Sequence, residues 1–151
     1  MIDAKQIQEL RAKSGMAIME CKKALEEAKG NEKAAMEILK KCGEVKALKK
    51  SERVTSQGIV GTYSHGGGRI GVMIEVNCET DFVARNEEFK NMVHDLCMQI
   101  ASMKPKDVAE LKKQSFIKDL DITIGDMLTE KIAKIGENIQ IKRFTRYELG
   151  E

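Results

Sequence analysis

The sequence predicts an α+β fold, on three observations. Apolar residues recur at spacings of three and four through the first third of the chain. They alternate at every second position between Ile59 and Val76, then return to the helical spacing from Phe89 onward. The expected organisation is a three-helix module with its linker over residues 1–53 and an α+β core over residues 54–151. The core is expected to be a small, largely antiparallel sheet of about three strands with helices on one face.

The first module divides at its punctuation. Ile7 and Leu10 mark one helix, Ile18, Cys21, Ala24, Leu25 and Ala28 a second, and Ala34, Ala35, Ile38 and Leu39 a third. Asp3 and Asn31 are N-cap residue types, Gly15 and Gly30 stand where chain reversal needs positive φ, and Gly43 is expected to end the third helix. The charged run EVKALKKSER then reads as a connecting helix or linker. Ile59, Gly61 and Tyr63 share one face of a strand, Ile70, Val72, Ile74 and Val76 one face of the next, and HGGG between them makes a hairpin. Asn86, followed by Glu87 and Glu88, opens the strongest helix, whose inner face is Phe89, Met92, Val93, Leu96, Cys97 and Ile100. After Pro105, Asp107 is expected to cap a short helix through Gln114 and Thr123 one ending at Gly136, and NIQIKRFTRYEL supplies the last strand.

Composition narrows the function. With 42% hydrophobic and 33% charged residues the chain is a folding, charge-rich protein, and no apolar run approaches the ~18 residues of a membrane span. No membrane partner is expected, and the setting is expected to be cytoplasmic. A net charge of +2, no tryptophan and 4% aromatic residues argue against both an electrostatic nucleic-acid footprint and a base-stacking platform. Lysines at Lys22, Lys23, Lys40, Lys41, Lys49 and Lys50 invite comparison with a helix-turn-helix, but Glu20, Glu26, Glu27, Glu32 and Glu37 interleave with them and would repel phosphate.

Little covalent chemistry is legible. Cys21, Cys42, Cys78 and Cys97 are widely spaced, with only His65 and His94 to complete a metal cage, so no zinc site is expected and the thiols read as small buried hydrophobes. Gly66, Gly67 and Gly68 precede a strand rather than a helix, which removes a phosphate-cradle reading. No catalytic residue and no cofactor are assigned.

Two apolar groups resist a purely structural account. Met16, Ile18 and Met19 cannot all face the interior of so small a bundle, and beside Lys22 they suit a protein-contact patch. In CETDFVAR, Phe82 and Val83 stand between Asp81 and Arg85 at a strand-to-helix turn. Phe82 either staples the start of the next helix, with Asp81 and Arg85 paired four apart, or is displayed.

Three blocks, in order, resemble one family. LRAKSGMAIMECKKALEEAKGN is similar to the opening module of the translation elongation factor EF-Ts, EVNCETDFVARNEEF to the signature of its core, and IAKIGENIQIKRF to its C-terminal strand region. The resemblance covers nearly the whole chain. It implies a ubiquitin-associated-like three-helix module before an α+β core, and a guanine-nucleotide exchange factor for the GTPase EF-Tu that performs no covalent chemistry of its own. It also implies docking on EF-Tu through Arg11, Ile18, Met19, Lys22 and Lys50, and a segment at Thr80, Asp81, Phe82 and Val83 that disturbs the partner's magnesium site. Short members of the family dimerise through the core, so a homodimer is expected. Two departures stand out: SGMAIME replaces a turn that often reads T-G-A-G-M-M-D, and a single subdomain carries only KPKDVAELKKQSFIKD between its core helices. The competing readings are a nucleic-acid-binding helical module fused to an α+β domain and a hydrolase using His65 or His94.

Overall fold

A computed structural model describes residues 2–151, which separate by contact into two units. One holds the chain up to Lys50 together with Thr129–Gly136; the other holds Ser51–Leu128 and Glu137–Glu151.

The first unit is built on α1 (Ala4–Ser14), α2 (Ile18–Glu27) and α3 (Glu32–Lys50). Asp3 and Gln6 close a reciprocal capping box on α1. At its other end Gly15 adopts φ 68° and donates its N–H to the Arg11 carbonyl at 2.8 Å, a left-handed turn that a Cβ would strain. The three- and four-residue spacings bring Leu10, Met16, Cys21, Ala24, Leu25, Ala35 and Leu39 into one buried cluster, and Ala133 of a later helix packs against it.

Gly43 does not end α3, contrary to the sequence expectation. The helix continues to Lys50, so residues 44–50 of the charged run are helical and only 51–53 turn. Glycine weakens a helix interior by about 1 kcal/mol relative to alanine, which the helix-favouring neighbours absorb. Gly43 is buried, and a Cβ on it would sit 3.4 Å from that of Ala133, an ordinary van der Waals contact, so sterics do not demand glycine there.

In the second unit β1 (Gln57–His65), β2 (Ile70–Cys78) and β5 (Ile139–Glu148) form an antiparallel sheet in the order β1-β2-β5, with a bulge at Glu75/Val76. Gly66, Gly67 and Gly68 all take positive φ at the hairpin tip. Val72, Ile74, Val76 and Cys78 are buried beneath α5 (Glu87–Met103), whose Phe89, Met92, Val93, Leu96, Cys97 and Ile100 are buried in turn. Each such side chain contributes roughly 1.5–3 kcal/mol relative to exposure, which makes this interface the centre of the unit.

The opposite face of the sheet is only sparsely apolar. Alternation sends Ile59, Val72, Ile74 and Val76 to the helix side, so the uncovered face holds only one β-branched aliphatic, Val60, with Met73 and Tyr147. Around them stand Thr62, Thr145 and a Glu75–Arg143 ion pair at 2.8 Å.

Between α5 and the last helix lie α6 (Val108–Lys113), capped by Asp107, and a small hairpin of β3 (Ser115–Phe116) and β4 (Asp119–Thr123). That hairpin was not anticipated, because a two-residue strand carries no periodicity. It is tied down by Gln99, a fully buried polar residue on α5, which donates to the Ser115 carbonyl at 3.0 Å and accepts from the Ile117 N–H at 2.9 Å. Thr123 and Asp126 cap α7 (Ile124–Ile135) reciprocally. At the end of α5, Lys104 turns left-handed at φ 47° and reaches Glu148 at 2.7 Å, while Arg146 donates to the Ala101 carbonyl at 3.0 Å and meets Glu148 at 2.8 Å. Hydrogen bonds from Lys104 and then Arg146 hold the Glu148 carboxyl below its ordinary pKa.

The sheet–helix contact gives a paired prediction. A Cβ on Gly61 would meet Val93 Cγ1 at 2.5 Å, whereas one on Gly71 has nothing within 4 Å. Gly61→Ala is therefore expected to cost about 1–3 kcal/mol by overpacking, and Gly71→Ala to be neutral or slightly stabilising. Urea unfolding of both variants checks this; equal midpoints would refute the close approach.

Candidate functional site

Alternation carries β2 to a buried Cys78, and the chain must then turn outward before α5 begins. The start of the turn is built by hydrogen bonds. The Cys78 thiol donates to the Thr80 carbonyl at 3.1 Å. The Glu137 carboxylate accepts three bonds: the Glu79 N–H at 3.2 Å, the Thr80 N–H at 3.0 Å and the Thr80 hydroxyl at 2.7 Å. Glu79 reciprocates, accepting the Asn138 N–H at 2.7 Å while pairing with Arg53 at 3.5 Å. Asn138, only 2% exposed, passes its side-chain amide to the Ser51 and Arg53 carbonyls at 3.3 and 2.9 Å.

On this base stands α4 (Asp81–Ala84), a single helical turn capped by Thr80, whose Oγ1 accepts the Val83 N–H at 3.3 Å. At 100° per residue the turn sends Val83 and Ala84 inward, where both are buried, and Asp81 and Phe82 outward. Phe82 is 83% exposed, which decides between the two sequence readings: it is displayed and does not staple α5. The Asp81–Arg85 pair does form, at 2.9 Å, with both side chains largely in water. Asn86 then caps α5 through the Glu88 N–H at 2.7 Å. Of the four residues expected to act together, Asp81 and Phe82 face solvent, Thr80 is the cap and Val83 is an anchor.

In the first unit, Ile18 and Met19 open α2 at 50% and 60% exposure while Met16 is buried beneath them. Lys22 lies one turn further along, within 3.9 Å of Glu26. Arg11 is exposed in the last turn of α1, and Lys50 is half-buried at the end of α3. Thus Ile18, Met19 and Lys22 share one helix, Arg11 lies in the last turn of the preceding helix before the Gly15 turn, and Lys50 belongs to a different helix terminus.

The remaining reactive groups are accounted for structurally. Burial pushes the Cys97 thiol up to about 11, and burial, reinforced by the Glu137 charge, raises that of Cys78. Tyr63 hydrogen-bonds His65 Nδ1 at 2.9 Å and packs edge-on against His94. Among the described residues no group of three or more histidine, cysteine or acidic side chains is placed to hold a metal ion, and no helix is long and apolar enough to cross a membrane.

Sequence reasoning missed Glu137 and Asn138 as determinants of the site. They lie 57 to 59 residues from the turn they hold, and a Glu-Asn pair after a helix reads as an ordinary surface loop.

Comparison with known proteins agrees with the arrangement of sequence blocks. The family model described as Elongation factor TS matches residues 79–151. The Elongation factor Ts of Carboxydothermus hydrogenoformans is 43% identical, over 100% of this chain and 90% of that protein. The Elongation factor Ts of Moorella thermoacetica is 41% identical over 100% and 97%, and that of Alkaliphilus oremlandii 43% over 99% and 90%. The first two alignments run over 196 positions against the 151 residues of this chain, so those relatives carry internal residues that it lacks. With such identity sustained from end to end, and the matched core containing the Thr80–Val83 turn, the chain belongs to the elongation factor Ts family.

Proposed function

We propose that this chain is a guanine-nucleotide exchange factor for EF-Tu, acting in the elongation phase of protein synthesis as its family membership implies. The observation that carries the reading is Phe82, an aromatic side chain held 83% exposed beside a carboxylate on a capped, anchored turn. Leaving it in water forgoes roughly 1.5–3 kcal/mol of burial, which contact with a partner would recover.

Exchange of this kind needs no acid, base or nucleophile. A protein that binds the nucleotide-free GTPase more tightly than the nucleotide-bound form weakens nucleotide by the same factor, because binding free energies are reciprocally linked. Magnesium is a suitable lever, being held by few protein ligands plus phosphate oxygens and water. In this reading Phe82 wedges against the element carrying those ligands, and Asp81 brings negative charge toward the ion. The alternative of a nucleic-acid-binding helical module gains no support: Lys13 and Lys46 are ion-paired with Glu32 and Glu20, and Lys22 lies beside Glu26.

Phe82→Ala is expected to change stability by no more than about 0.5 kcal/mol, as an exposed substitution should, while slowing release of fluorescent GDP from EF-Tu roughly tenfold or more. Asp81→Asn should also slow release, its exposed ion pair with Arg85 being worth at most about 1 kcal/mol to the fold. Normal release by a folded Phe82→Ala protein would overturn the wedge.

Docking is assigned to Ile18 and Met19 as an apolar centre, with Arg11, Lys22 and Lys50 as its charged surround. Ile18→Glu combined with Met19→Glu should weaken association with EF-Tu at least about tenfold and leave the melting temperature in place. Unchanged affinity in a titration would remove this patch from the interface.

The uncovered sheet face, with Val60, Met73 and Tyr147 exposed, is proposed as a homodimer surface. Sedimentation equilibrium should show a dimer that Met73→Lys dissociates. A single 16.9 kDa species of the unsubstituted protein at all concentrations would exclude it.

A further inference from the structure

We propose that Glu137 is a positioning residue for the displayed turn: its carboxylate fixes where the Phe82 side chain points. The inference rests on the exchange reading of Phe82 and extends it to a residue outside the Thr80–Val83 segment.

With the Phe82 ring 83% exposed, little packing is left to orient it, so its direction is inherited chiefly from the backbone of α4. A helix of four residues does not hold itself, because nucleation fixes several dihedrals for a single hydrogen bond. Its own bonds number few: the Ala84 N–H to the Thr80 carbonyl at 3.3 Å and the Arg85 N–H to the Asp81 carbonyl at 3.1 Å. The turn must therefore be pinned from outside at both ends. On the C-terminal side the pins are the buried Val83 and Ala84. On the N-terminal side the pin is Glu137, where three donors from two consecutive residues converge on one carboxylate within 3.2 Å.

The geometry suits a carboxylate in particular. Oε1 takes both backbone amides and Oε2 takes the Thr80 hydroxyl. Donating to Oε2 leaves a hydroxyl lone pair for the Val83 N–H, so the same contact orients the cap that starts α4. A charged acceptor strengthens such bonds over a neutral one, and the Thr80 hydroxyl contact, at 2.7 Å, is the shortest of the three. An amide in place of the acid retains one acceptor oxygen, enough for the two N–H groups, and loses the acceptor facing the hydroxyl. Glu137→Gln should thus fall between the parent and Glu137→Ala.

The chain contains no tryptophan, so Phe82→Trp places a single fluorophore at the displayed position. In the full-length protein carrying that substitution, without any partner, Glu137→Ala is expected to increase the fast local rotation of the introduced indole in time-resolved anisotropy, and Glu137→Gln to increase it less. In the Phe82 parent, Glu137→Ala should slow GDP release from EF-Tu about tenfold, as small misplacements of an acting group do, with affinity for nucleotide-free EF-Tu altered far less. Combined with Phe82→Ala it should slow release no further, since both act through one side chain. Unchanged indole rotation in both variants would overturn the proposal while leaving the exchange reading intact. So would additive losses in the double variant. Normal release by Phe82→Ala would instead overturn the exchange reading, and the anisotropy measurement, made without EF-Tu, would still report whether Glu137 holds the turn. If Glu137→Ala lowers folded yield, Glu137→Gln carries the same comparisons.

Discussion

Glu79 and Glu137 accept each other's neighbouring backbone amides, Glu137 from Glu79 and Thr80 and Glu79 from Asn138, and this exchange ties together two segments far apart in sequence. Each bond contributes only modestly on its own, and together they fix a strand end, a loop and the chain just after α3 against one another. Asn138 extends the arrangement to Ser51 and Arg53. The outward turn is held by these bonds at its start and by the buried Val83 and Ala84 at its end, and Phe82 stands in water between them.

How much of this was legible follows from the range of each interaction. The β1–β2 hairpin and α5 could be read because their burial is written at fixed local spacings, two in the strands and three or four in the helix, and the structure places those residues on the faces expected of them. Gly43 misled, because a glycine signals a helix end locally while the helix-favouring residues on either side of it carry α3 on to Lys50. Phe82 could not be decided from pattern: a staple and a displayed ring share the same neighbours in sequence, and only the direction of a one-turn helix separates them. The β3–β4 hairpin was invisible for another reason. It is tied down in part by a buried glutamine on a helix that otherwise reads as apolar.

The two units hold their sequences in different ways. In the first, a cluster of seven buried residues, two of them alanine and one cysteine, leaves little volume per contact and depends on close helix approach. The second has larger side chains between sheet and helix, and several of its loops are tied to polar side chains with defined partners: Gln99 to the small hairpin, Asn138 to residues 51 and 53, Arg146 to the end of α5. Polar ties of this kind add little net stability and much geometric definition, since each is satisfied in only one arrangement.

The single turn of α4 has a last consequence. A ring presented on a segment already capped and anchored arrives in its final shape, so an encounter spends little free energy on ordering this chain. Under the proposed function the deformation then falls on the surface that the ring meets, whereas a loop of the same composition without its ties would itself yield on contact.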